Sequence, residues 1–114
     1  MDSSDVVRAM KLHDRMHFDL SGCGTVYLRR SVRMCDCVRH SLDIADISVI
    51  ESQRRRYIFS ETVAIVEVAA KRLGRCVWVD CIHNDIVTTA LERRGYTIVR
   101  TVGGLQVDAY KVIE

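Results

Sequence analysis

The stretch Ile50–Gly74, "IESQRRRYIFSETVAIVEVAAKRLG", decides how the rest of the chain is read. It opens as the end of a strand-like run, passes through a polar turn holding Arg54, Arg55 and Arg56, and then changes period. Ser60 is a good N-cap type, because a serine hydroxyl can accept from an exposed amide of a first helical turn. Val63, Val66, Ala69, Ala70 and Leu73 recur at helical spacing, and Gly74 follows as a residue suited to the left-handed conformation that ends many helices. The pattern predicts an amphipathic helix of about four turns. A strand feeding a helix through such a turn is also a common way to build a phosphate cradle. The glycines that usually let backbone close on a phosphate are missing from it.

Upstream, "TVYLRR" (25–30), "VRMCDCVRH" (32–40) and "LDIADISVI" (42–50) are short β-favouring runs separated by breaks too small for helices. They predict three consecutive antiparallel strands. Downstream, "RCVWVDCIH" is nearly continuous in apolar character, as expected of a strand in the middle of a sheet. Asn84 is positioned to cap a second helix, Asp85 to Arg94, with Ile86, Val87, Ala90 and Leu91 on its buried face and Gly95 at its end. The tail reads as two strands around Gly103-Gly104, a hairpin signal. Of the first residues, "DVVRAMKLHDRM" can be drawn as a helix and "HFDLSGCG" as a turn or short strand. Strand–helix–strand steps require a right-handed crossover, whereas the flanking runs supply antiparallel neighbours. The expected fold class is α/β: a mixed, mostly antiparallel central sheet with flanking helices.

With 114 residues the chain suffices for one domain, 1–114, with a small core. Its 48% hydrophobic and 28% charged residues are those of a globular protein. No apolar run approaches the roughly 20 residues that span a bilayer, and Met1–Asp5 is acidic and polar, so a cytoplasmic protein without membrane contact is expected. Five cysteines, odd in number and irregularly spaced, point to reduced thiols, most of them in the core. Cys35 and Cys37 are expected on one face of a strand, and no metal is expected, because the thiols lie within strands rather than in paired tight loops. Trp78, Met10, Met16 and Met34 are expected in the core. A net charge of +2 implies no strong nonspecific attraction to nucleic acid. Three of the seventeen basic residues are lysine, and the arginine bias suits contacts to phosphate and carboxylate.

The element order resembles the C-terminal two-thirds of the GNAT superfamily of N-acetyltransferases, from about Thr25 to the end. Three features carry the resemblance: "LDIADISVI" running through the arginine turn into a helix, "CVWVDCIH" leading to Asn84, and "NDIVTTALERRGY", which is similar to the family's asparagine-capped helix closed by glycine and an aromatic. The resemblance implies a GNAT-like fold reduced at its N-terminus, with 1–24 in place of a longer first segment that walls the acceptor site. It also implies an acetyl-CoA cleft between residues 42–50 and 76–83, where two parallel strands splay.

The cofactor residues that the resemblance implies are Ile47, Val49, Arg54, Arg55, Arg56, Tyr57, Ile58, Phe59, Ser60 and Asn84. The family's pyrophosphate motif is Gln/Arg-x-x-Gly-x-Gly/Ala. Arg54 matches its first position, but Tyr57 and Phe59 stand at the glycine positions, where an aromatic side chain fills space that a phosphate needs. Three arginines could hold phosphate by side chain instead, or be a solvated basic turn. The tyrosine that many members place seven residues after the asparagine is Leu91 here. Acetyl transfer to an amine also needs a base. Glu51 and His83 are the candidates nearest the cleft, with Asp46 and Asp80 beside them. For Glu51, His83 and Asn84 a plain structural role at a strand end or helix cap stands alongside the functional one.

Three functions remain open on this footing. The first is acetyl transfer from acetyl-CoA to an amine of a macromolecular acceptor. The second is a catalytically inactive GNAT-like module that binds a protein partner, with a homodimer through the C-terminal hairpin as one form. The third and weakest is nucleic-acid binding through Arg29, Arg30, Arg33, Arg39 and Arg54–Arg56 with Tyr27 and Tyr57.

Overall fold

The structure, a computed structural model, describes residues 1–49, 56–100, 102–104 and 106–113, and at Arg56, Tyr57 and Val102 the backbone alone. Asp2 opens helix α1 (Ser3–Leu12) with a capping box: its carboxylate accepts from the Asp5 N–H at 2.8 Å while Asp5 accepts from the Asp2 N–H at 3.2 Å. Val6, Val7 and Met10 fall on its inner face and are buried. Strand β1 (Arg15–Asp19) follows, so residues 1–24 contribute a helix and a strand to the body of the fold.

The long hairpin comes next, β2 (Gly24–Cys35) and β3 (Cys37–Val49). This corrects the expected set of three strands at 25–30, 32–40 and 42–50. Ser31 and Ser41, which look like breaks in the sequence, face each other as a rung of the ladder. The chain reverses instead at Asp36, whose φ of 70° an aspartate tolerates better than most residues. Cys35 and Cys37 consequently lie on opposite arms of a turn, one buried and the other exposed. The third antiparallel strand is β1, paired to β2 from Arg15↔Arg29 to Asp19↔Thr25.

Helix α2 (Arg56–Leu73) starts before Ser60, which lies inside it rather than at its cap. Ile58 explains the extension, since it is buried in the core and its packing recruits the preceding turn into the helix. The far end is as expected: Gly74 has φ 69°, its N–H donates to Lys71 O (3.2 Å), and Arg75 N–H donates to Ala70 O (2.9 Å), the two bonds of a Schellman motif. Then come β4 (Cys76–Val79), α3 (Asp85–Arg93), β5 (Thr97–Arg100) and β6 (Val107–Lys111), with a short 3-10 turn at Val102–Gly104 between the last two.

The sheet order is β1-β2-β3-β4-β6-β5. β4 runs parallel to β3 and antiparallel to β6, and all four of its residues are buried, as its apolar run requires of a central strand. The remaining pairings are antiparallel, so the mixed, mostly antiparallel α/β class holds. One core forms where Val26, Leu28, Leu42, Ile44, Val77, Val79 and Ala109 meet α1, α2 and, through Leu91, α3. No described helix is long and apolar enough to cross a membrane.

The opposite sheet face carries a second, smaller cluster of Cys35, Cys76 and Trp78 with Val99, Tyr110 and Val112. The β2–β3 hairpin curls onto this face, since Tyr110 Oη at its far side donates to Asp36 Oδ1 at the hairpin tip (2.7 Å). Three expected core residues are instead on the surface: Met34 is 62% exposed, Met16 37% and Ile86 75%. Met34 rides the outer side of the protruding hairpin. Ile86 sits in the first turn of α3, which overhangs a cleft rather than the sheet.

Candidate functional site

The cleft follows from two local departures on neighbouring strands. Pairing of β3 with β4 lasts only from Ser41↔Cys76 to Ile44↔Val79, and the final rung is Asp80 N–H to Ile44 O at 3.0 Å. Past that rung the two chains are drawn apart. After β4 the chain turns at Cys81 (φ 50°) and is tied towards β6, with Cys81 N–H donating to Asp108 Oδ1 (2.9 Å) and Ile82 N–H to Val107 O (2.7 Å). On β3 a bulge intervenes: Leu28 pairs with Ile44 and Tyr27 with Asp46, which leaves Ala45 as the extra residue. The bulge shifts the alternation by one. Leu42 and Ile44 meet the core before it, and Ile47 and Val49 pack against the core after it.

Between the splayed chains lies a cavity of about 690 Å³, walled by Ile44–Val49 on one side, Val79–Asn84 on the other, and Phe59, Ile86 and Val87 at its end. It opens to solvent, because Asp46, Ser48, Cys81, His83 and Asn84 on its walls are exposed. A second hollow of about 620 Å³ adjoins it, lined by Phe59, Ser60, Asp85, Ile86, Val87, Thr89, Ala90 and Arg93. Phe59, Ile86 and Val87 border both.

Of the residues expected at a cofactor site, the fold gathers Ile47, Val49, Phe59 and Asn84 in the cleft, together with the base candidate His83. Ser60 faces the second hollow. Ile58 is directed elsewhere, 8% exposed and packed in the core. Arg56 and Tyr57 begin α2 and are described by backbone alone, while Glu51, Arg54 and Arg55 lie outside the described residues. Asn84 is a cap in fact: its Oδ1 accepts the Ile86 N–H at 2.7 Å. Leu91, seven residues after Asn84, is fully buried in the core and is not among the residues that line the cleft.

Beside the cleft floor sits a charged cluster. Asp43, fully buried, accepts from Arg29 Nε (3.2 Å), Arg33 Nε (3.1 Å), Arg33 Nη2 (2.8 Å) and Ser41 Oγ (2.6 Å). Arg29 Nη2 also donates to Asp80 Oδ2 at 2.7 Å. Desolvation, then the neighbouring Asp80 and Asp108 carboxylates, push the Cys81 thiol up, which leaves it a protonated thiol rather than a nucleophilic thiolate. Ligand atoms of Asp80, Cys81 and Asp108 fall within 4.8 Å of one another. Both carboxylates are already engaged, Asp80 by Arg29 and Asp108 by Cys81 N–H and the Gln106 amide. Arg29, Arg30 and Arg33, three arginines considered for nucleic acid, are each ion-paired.

The bulge at Ala45 escaped sequence reasoning, although a signal exists. From Leu42 onward the large apolar residues of β3 fall at 42, 44, 47 and 49, and the three-residue step among them marks the extra residue.

No family model and no curated protein sequence matches the chain. Its structure is similar to a crystal structure from Agrobacterium tumefaciens, of a protein provisionally described as an acetyltransferase, with a TM-score of 0.54 and 19% identity. The likeness covers 94% of this chain and 82% of that one. At this identity what is shared is the fold, an acetyltransferase-like mixed sheet with helices against it.

Proposed function

We propose that this protein is an N-acyltransferase of the GNAT kind, which takes acetyl-CoA in the cleft between β3 and β4 and passes the acetyl group to an amine of a macromolecular acceptor. The observation that carries the proposal is the splayed parallel pair, whose rungs stop at Ile44↔Val79 and leave a cavity of about 690 Å³. Its walls suit a pantetheine arm. Ile44, Ile47, Val79 and Ile82 offer apolar contact, and the β3 segment beyond Ile44 can receive amide groups in the manner of an added strand. The start of α2, whose Phe59 borders the cleft, would take the phosphate end of such a ligand, because a helix N-terminus favours anions.

Bound acetyl-CoA supplies a thioester, activated towards attack by an amine. The chain's task is to orient it, to take a proton from the incoming ammonium, and to leave room for the acceptor. Among the described residues, exposed His83 and Asp46 on the cleft walls can take that proton, and Glu51 is a further candidate. A buried leucine at position 91 does not preclude transfer, since a thiol of ordinary pKa, about 8.5, leaves tolerably near neutral pH. The exposed rim favours a large acceptor over a small enclosed amine.

Calorimetric titration with acetyl-CoA tests this. Saturable binding near one per chain supports it, and absence of heat together with an unchanged melting temperature at millimolar ligand overturns it.

A second reading is favoured by Phe59, an aromatic at a glycine position of the family motif, which borders both hollows. On that reading the chain is an inactive GNAT-like module that engages a protein partner or a second copy, with the edge strand β5 available for pairing. Recovery of a stoichiometric partner, unaffected by acetyl-CoA, would favour it.

A further inference from the structure

Cys35 ends β2 and Cys76 begins β4, 41 positions apart in the chain, yet their sulfurs lie 2.8 Å from each other. Neither thiol is open to solvent, at 0% and 3% exposure. They meet because the β2–β3 hairpin arches over β4, where two noncovalent contacts hold it: Tyr110 Oη of β6 donates to Asp36, and the Arg33 guanidinium lies 5.1 Å over the Trp78 ring of β4. Cys37 and Cys81 are exposed and Cys23 is half-buried.

We propose that Cys35 and Cys76 form a reversible disulfide that fastens the hairpin arm across the sheet. The sulfurs are already in contact, they belong to strands separated by β3, and a bond between them would convert a noncovalent latch into a covalent one. The oxidant is a low-molecular-weight disulfide such as oxidised glutathione. One thiolate attacks it, its S–S bond breaks, and the resulting mixed disulfide is displaced by the second cysteine. The new S–S bond joins Cys35 to Cys76, the two electrons reside in two released small thiols, and these carry the two protons the cysteines lost. Burial, with the adjacent Cys76 thiol and Asp43, holds the Cys35 thiol up at about 12, so exchange near neutral pH requires the arm to lift and is slow. This inference does not depend on the acyltransferase proposal.

Peptide mapping tests the pairing directly. Trypsin leaves Cys35 with Cys37 in residues 34–39 and Cys76 with Cys81 in residues 76–93, so the double variant Cys37→Ser/Cys81→Ser keeps one thiol of the pair in each peptide. After incubation with oxidised glutathione, that variant is expected to lose about 2 Da and to yield a linked 34–39/76–93 species that reductant separates. Adding Cys35→Ser should abolish both signals. In the native chain, unfolding and alkylation after oxidation should label three thiols rather than five, and Trp78 emission, beside the new bond, should fall. The proposal is overturned by glutathione adducts in place of the link, by a bridge that uses Cys23, or by five alkylated thiols after prolonged incubation.

Discussion

Arg33 holds Asp43 at two points, with Nε at 3.1 Å and Nη2 at 2.8 Å from the same carboxylate oxygen, and the carboxylate is fully buried. The pair lies on the sheet face away from the main core, with Arg29 on its other flank. Removing one partner of a buried pair leaves charge without compensation. Asp43→Ala should therefore cost about 3 kcal/mol in urea unfolding, because Arg33 loses its carboxylate partner and Arg29 keeps only Asp80. A loss below about 1 kcal/mol would mean that solvent reaches Arg29 and Arg33 well enough to replace it.

Tyr96 donates to Glu67 Oε2 at 2.9 Å, while Arg94 Nη2 reaches Glu67 Oε1 at 2.6 Å. Burial, then the Glu67 charge, raises the Tyr96 pKa well above its ordinary value of 10.0. Because the folded value is the higher one, the associated stability is fully present below about pH 10 and is lost as the pH rises beyond it, where the unfolded chain ionises first. Tyr96→Phe should be about 1 kcal/mol less stable at neutral pH, from the lost hydrogen bond. It should also show a shallower decline than the native chain between about pH 10 and 12, measured by thermal melts across that range.

Gly24 has φ 149°, and a Cβ there would sit 2.0 Å from Ser48 O and 2.8 Å from Val49 Cα. The clash is with backbone at the end of the cleft wall, which cannot swing aside as a side chain could. Gly24→Ala should cost roughly 3 kcal/mol or more, read as a lowered melting temperature. An unchanged melting temperature would show that the β3 end yields.

Leu91→Tyr, which puts a hydroxyl at the position of the family tyrosine, should not create a proton donor for the cleft. The site is fully buried in the core, and overpacking there costs about 1–3 kcal/mol. A variant that is both stable and faster in acetyl transfer would contradict the placement of α3.

Phe59 borders both hollows, so its truncation should merge them. If the aromatic ring occupies space a CoA ligand needs, Phe59→Ala should bind acetyl-CoA about tenfold more tightly by calorimetry, equivalent to about 1.4 kcal/mol. Weaker binding would make the ring a contact surface for the ligand instead.

Within the site, what could be read from sequence was whatever depends on local chemistry. Asn84 announces its cap, and "CVWV" its central strand, because an amide side chain before a helix and an unbroken apolar run have few other uses. Ile58 shows where this stops. It belongs to the arginine-turn motif by position, but the core takes its side chain and carries the helix start back past Ser60. Ile86 fails in the opposite direction, an apolar residue at a helix-periodic position that faces an opening.

The sequence by itself determined the order of strands and helices after the long hairpin, the helix ends at Gly74 and Asn84, and the mixed α/β class. These follow from periodicity, capping and turn chemistry acting over a few residues. Only the tertiary structure decided that the chain reverses at Asp36, that β3 bulges at Ala45, and that Cys35 meets Cys76 across a curled hairpin. Each depends on which distant backbone supplies the next hydrogen bond. A ladder that runs through Ser31 and Ser41 competes with a turn there, and pairing over twelve residues outweighs the local preference.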